Sequence, residues 1–150
     1  PCGYFQSILK QCHCSPTQVE QYQKKVSGPF LDRVDVHVRV GEVPVKDLSP
    51  LSSRIQTKDL QASVLTARSR QRARFKQTPH ATNHDVTSAE IQQFFSIRTD
   101  AEKFLHSAAE KMKLTTRGYF GTIKIGQTIA DLSESPYIEK EHIAEALQYR

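Results

Sequence analysis

Three thiols, Cys2, Cys12 and Cys14, fall within the first fourteen residues, with His13 between the last two. Thiolates grouped around one loop can hold Zn²⁺ tetrahedrally, and His13 or a further cysteine would complete four ligands. Free or buried thiols are the competing reading, because Cys-x₉-Cys-x-Cys is a poorer metal spacing than Cys-x-x-Cys. An odd cysteine count, with no basic-then-apolar run in the opening PCGYFQS, argues against a disulfide framework and for a reducing, cytoplasmic setting.

The second concentration of chemistry is cationic. The net charge is +5, and residues 46–85 hold eight Lys/Arg against three acids. Arg68, Arg70, Arg72, Arg74 and Lys76 fall within nine residues, a footprint suited to nucleic acid or nucleotide phosphate. On a helix, however, Arg68, Arg72 and Lys76 fall on one side and Arg70 and Arg74 on the other, at about 100° per residue. They flank an apolar stripe instead of forming one positive face, so stems packed along a core edge with solvated heads compete with a DNA or inter-subunit contact. His80, His84, His106 and His142 show no metal spacing, and His37 alternates with valines. No Ser/His/Asp set or paired-carboxylate site emerges, which argues against a free-standing hydrolase.

The elements that must position these groups are mostly helical. Ser15-Pro16-Thr17-Gln18 offers a cap, a proline at the first helical position and a capping-box glutamine, so a short helix is expected to about Val26, before the Gly28-Pro29 breaker. Val34, Val36, Val38 and Val40 alternate with polar residues, the period of a half-buried strand, ended by Gly41 and Pro44. Residues 46–53 read as a linker. A helix over about 54–76 places Leu60, Val64, Ala67 and Phe75 within about an 80° sector. Capping boxes at Thr87–Glu90 and Thr99–Glu102 open two more helices, the second with Phe104, Leu105, Ala108 and Met112 inward. Helices over 116–132 and 139–149 follow, with Pro136 between them. No run of apolar residues is long enough to span a membrane. A single strand leaves its ladder groups unpaired and calls for partners from other segments.

The ordered segments SGPFLDRVDVHVRV, LTTRGYFGTIKIGQTIADL and IEKEHIAEALQYR, after CGYF and CHCSP, resemble the magnesium-chelatase-like AAA+ ATPases, most closely their ComM/YifB branch. The resemblance implies a mainly α chain: residues 1–45 as the tail of an AAA+ α/β core with its final strand, and residues 54–150 as a four- to five-helix lid. It also implies a larger protein upstream of Pro1. There is no G-x-x-x-x-G-K-[ST], so the Walker A loop, the Walker B acids, the Mg²⁺ ligands and the catalytic carboxylate are missing. These 150 residues alone are expected not to hydrolyse ATP.

By the same resemblance Arg33, in Gly28–Arg33, matches an arginine finger supplied in trans. A guanidinium of that kind is worth roughly 10³–10⁵ in rate in GTPases. Arg117 matches the sensor-2 arginine that meets phosphate in cis from the lid. Relatives usually add arginines further along that helix, where this chain has Gly121 and Gln127. The three cysteines resemble two Cys-x-Cys pairs, the first cut by the start of the chain. Read from the residues alone, Arg33 pairing with Asp32 or Asp35 and Arg117 lying in solvent stay open. The resemblance implies a homo-oligomeric ring, a hexamer, with ATP and Mg²⁺ between subunits, acting on DNA in recombination or transformation. A magnesium-chelatase motor subunit serving porphyrin metallation and a non-enzymatic helical DNA-binding module are the alternatives.

Overall fold

The computed structural model describes residues 1–44 and 57–150; the linker expected at 46–53 lies outside the described residues. The chain divides into two compact units, Pro1–Arg54 and Ile55–Arg150.

The first unit is a loop followed by two short helices. Helix α1 spans Pro16–Gln23. The Gln18 amide donates to Ser15 Oγ at 3.3 Å, and the Ser15 amide donates to Gln18 Oε1 at 3.0 Å. The capping box therefore forms as expected, satisfying helix-start donors that would otherwise be orphaned. Gly28-Pro29 does more than break the chain. It opens a one-turn helix, α2 (Gly28–Leu31), capped by Ser27 Oγ accepting from the Phe30 amide at 3.3 Å. Proline suits that place because its missing N–H is not needed in a first turn.

The strand expected over 34–40 does not form. Residues 34–44 carry no helix and no ladder among the described residues, and Val36, Val38 and Val40 are 46%, 67% and 87% exposed. Alternation makes a segment ready to pair, but a strand exists only when a neighbour accepts its N–H and C=O groups.

The second unit holds five helices among the described residues: α3 (Thr57–Arg74), α4 (Ile91–Phe94), α5 (Thr99–Met112), α6 (Thr116–Leu132) and α7 (Lys140–Gln148). Helix α6 packs against both α3 and α7, and α7 also meets α5. Phe75, Val86, Ile91, Phe95, Leu105, Ile123, Ile138 and Ile143 form the core. Gly126 lets α6 and α7 approach: a Cβ there would meet Ile143 Cδ1 at 3.0 Å.

Three sequence expectations shift. The α3 stripe is buried only at Ala67 and Phe75; Leu60 and Val64 are more than half exposed because nothing described covers the first turns of α3. Met112, expected inward, is 47% exposed in the last turn of α5. Helix α5 begins at Thr99 with Arg98, not Thr99, at the cap position. The cause is tertiary. Ile97 and Ile138 form a parallel bridge, and the Arg98 amide donates to the Ile138 carbonyl at 3.0 Å, holding the chain extended through residue 98.

Candidate functional site

The sharpest convergence lies in the first unit. Cys2 Sγ is 3.6 Å from Cys12 Sγ, and the Cys2 amide donates to Cys14 Sγ at 3.1 Å. All three sulfurs lie within 4.8 Å of one another, and none is in a disulfide. The Tyr4 amide donates to Cys2 Sγ at 3.4 Å. Donation by the Tyr4 and His13 backbone amides, with help from the Cys14 and Cys12 thiols, lowers the Cys2 pKa to about 6. At Cys12 the Cys14 amide favours the thiolate, but burial and the adjacent sulfurs outweigh it and push the pKa up. Two neighbouring thiols thus move apart, as groups sharing one local charge must. His13, the candidate fourth ligand, is exposed and outside the sulfur group. The three cysteines border a surface pocket also lined by Phe5, Val19 and Tyr22.

Arg33 follows α2 directly. Its side chain is exposed and its Nη1 donates to the Pro29 carbonyl at 2.6 Å, curling back onto α2.

Arg117 occupies the first turn of α6 and is exposed. Thr115 caps that helix, its Oγ1 accepting from the Gly118 amide at 3.0 Å. The first turn of α6 contains no acid, whereas the first turn of α5 holds Asp100 and Glu102. Carboxylates at a helix start partly neutralise its positive dipole end, so α6 presents the less compensated terminus, with a guanidinium beside it. Gly121 and Gln127 are both buried.

The basic run does not act as one group. Arg74 Nη1 and Nη2 donate to the two oxygens of Asp131 at 2.9 and 2.5 Å, and Asp131 is fully buried. Asn83 Nδ2 donates to Asp131 Oδ2 at 2.9 Å and Gln127 Nε2 to Oδ1 at 3.2 Å. Arg70 Nη2 donates to the Ser135 carbonyl at 2.7 Å. Arg68 Nη1 donates to Gln71 Oε1 at 2.9 Å. Three of the five cations therefore tie α3 to neighbouring segments or to itself, while Arg72 and Lys76 are exposed.

The anchor of this network, Asp131, was not singled out by pattern. The signal was there: an acid in the last turn of a helix opposes the dipole, and Asp131 follows directly on the buried Ile129 and Ala130. Such an acid needs a cation, and Arg74 supplies it. Gln71 sits at the centre of the α3 stripe and is 5% exposed, so the α3–α6 seam is polar where an apolar one was expected.

The chain is 31% identical over 154 residues to the uncharacterized protein YifB of Escherichia coli K12, covering all of this chain and 29% of that relative. It is 34% identical over 151 residues to the competence protein ComM of Haemophilus influenzae, again over the whole chain and 28% of the relative. It thus spans less than a third of the length of these curated relatives. Residues 1–48 match the family model for magnesium chelatase, subunit ChlI, and residues 54–150 match the model for the C-terminal part of that subunit. A match across the thiol loop, the Arg33 turn and the whole helical bundle makes the chain a member of the magnesium chelatase ChlI family.

Proposed function

We propose that this chain supplies the lid and the terminal part of the core of an AAA+ ATPase that works as a homo-oligomeric ring. Arg117 meets the phosphates of ATP bound to its own subunit, and Arg33 reaches ATP bound to the next. The observation that carries the reading is the start of α6: an exposed arginine, a threonine cap and no acid in the first turn. Backbone amides and a positive dipole end favour an anion there, and Arg117 adds a charge-assisted donor. Arg33 is likewise exposed, just past the one-turn helix α2.

Mg²⁺ and the catalytic carboxylate belong to parts of the assembly other than these residues, since the sequence holds no phosphate-binding loop. What this chain contributes is charge. A finger guanidinium stabilises the transferring phosphoryl group, and the lid arginine makes closure depend on whether that group is present.

The test uses the full-length protein. Arg33→Ala abolishes ATP turnover while nucleotide still binds, and turnover returns when the variant is mixed with subunits carrying Arg33 but disabled at their own ATP site. Arg117→Ala weakens nucleotide affinity and turnover together. Retained turnover in Arg33→Ala defeats the role given to that residue.

DNA is the proposed substrate of the ring, supported by the similarity to a competence protein. Because Arg68, Arg70 and Arg74 are engaged within the fold, the basic run contributes mainly the exposed Arg72 and Lys76. Two phosphate contacts give a log-affinity slope against log salt of about −2, whereas five give about −4.5. Fluorescence anisotropy across a salt series separates the two, and Arg72→Ala with Lys76→Ala removes the smaller slope.

A further inference from the structure

We propose that Cys2, Cys12 and Cys14 supply three thiolate ligands to one Zn²⁺-class cation per chain, beside the pocket lined by Phe5, Val19 and Tyr22. The inference is independent of the ATPase reading.

The geometry fits such an ion. A tetrahedral site with metal–sulfur bonds of about 2.3 Å sets its sulfurs about 3.8 Å apart. Here one edge of the sulfur triangle is 3.6 Å and no pair exceeds 4.8 Å. A disulfide needs sulfurs near 2.05 Å, so the three are grouped without being bonded. Cys2 approaches Cys12 and Cys14 across a closed loop of ten to twelve residues, so the convergence is not a by-product of neighbouring positions. Backbone amides of Cys2 and Tyr4 point at Cys14 and Cys2 sulfurs, the outer donors that hold thiolate ligands in place.

Polar contacts accompany the sulfur convergence in this loop, among them the Lys10 amide donating to Ser7 Oγ at 2.9 Å. No side chain among residues 1–44 is buried, and Phe5, Ile8 and Leu9 are about half exposed or more. Three sulfurs account for three of the four ligands of such an ion, and His13 is exposed and outside the sulfur group. On binding, each thiol that ligates releases its proton to solvent, so charge balances without a redox step.

The experiment titrates Co²⁺ into the reduced, metal-stripped chain without oxygen and then displaces it with Zn²⁺. One equivalent should saturate, giving intense sulfur-to-cobalt charge transfer and the visible bands of a tetrahedral ion, both lost as Zn²⁺ enters. Cys2→Ser, Cys12→Ser and Cys14→Ser should each cost at least the roughly 10–100-fold that loss of an outer-shell partner costs, while His13→Ala changes affinity less than threefold, an order-of-magnitude bound. Zn²⁺ should also slow hydrogen exchange at the Tyr4 and Cys2 amides. Retained protection of the Gln18 and Phe30 amides, which donate to the Ser15 and Ser27 hydroxyls, reports that each variant keeps the order of the first unit. Binding no tighter than that of the triple-serine variant overturns the proposal. So does retained affinity in a single-serine variant, loss of binding in His13→Ala, or a Cys2–Cys12 disulfide that persists in reductant and excludes the ion.

Discussion

Residues 1–44 and residues 57–150 use apolar side chains in opposite ways. The second region turns Leu105, Ile123, Ile138 and Ile143 inward until each is at most 2% exposed. The first leaves Phe30, Leu31 and the valines of 34–40 largely or partly open, with no buried residue at all. What order the first region has comes from local polar devices: the Ser15 and Ser27 caps, the thiol cluster, and Ser7 Oγ donating to Glu42 Oε2 at 2.8 Å. The contrast matches the proposed roles. A lid must keep its own shape while it moves, so it carries its own core. The tail of a sheet obtains its core from neighbouring strands and displays an unpaired apolar face without them.

The comparison is broken most directly at the polar seam of the second region. Asp131 is fully buried and accepts from Arg74, Asn83 and Gln127. Asp131→Ala strands a guanidinium that is 18% exposed, together with a buried amide. Removing one partner of a buried pair costs about 3–5 kcal/mol. Urea unfolding followed by helical circular dichroism should show that loss. A drop below about 1 kcal/mol, the range of exposed pairs, would mean the seam is solvated and adds little.

The next test sets the two apolar populations against each other. Leu105→Ala empties part of a sealed core and should cost about 2–5 kcal/mol. Val38→Ala, at a side chain 67% exposed, should stay within about 0.5 kcal/mol in this chain. Hydrogen exchange mapped along both units checks both substitutions. If Val38→Ala loosens residues 1–44 as strongly as Leu105→Ala loosens the bundle, the first region has a core of its own and the contrast fails.

Legibility in the sequence follows the range of the interactions involved. Helix α6 begins at Thr116 and ends at Leu132 as its pattern predicts, because its periodicity is carried by those residues and its cap, Thr115, directly precedes them. The Ser15 capping box was legible for the same reason. The convergence of Cys2 with Cys12 and Cys14 was legible as a composition of ligands but not as a geometry, since loop closure leaves no periodic trace. Register at α5 was not legible, because the Ile97–Ile138 bridge joins residues forty-one apart and overrides the local cap. The fate of the basic run was hidden similarly: Arg74 meets Asp131 across fifty-seven residues, and only the misfit of an acid in the last turn of α6 hinted at it.

The smallest expected effect lies where a local polar device is built into the second region, and it is read through pH. The Thr87 amide and hydroxyl donate to Glu90 Oε2 at 2.8 and 2.6 Å, and His80 Nε2 lies 3.2 Å from Oε1. The Thr87 hydroxyl and amide, followed by His80, lower the Glu90 pKa from 4.5 to about 2. A carboxylate with a depressed folded-state value favours the fold fully above its unfolded value. That contribution declines as pH falls from 4.5 toward 2, because the unfolded chain takes up the proton first. Glu90→Gln removes the titration, while Asp85, also lowered by the Ala81 and Thr82 amides, titrates in both proteins and cancels from the difference. The gap in urea midpoint between the parent chain and Glu90→Gln should therefore be constant above about pH 5 and narrow steadily toward pH 2. A gap that holds its size over that interval would show that the cap depends on the shape of the side chain and not on its charge. The polar order of this segment would then be insensitive to acid.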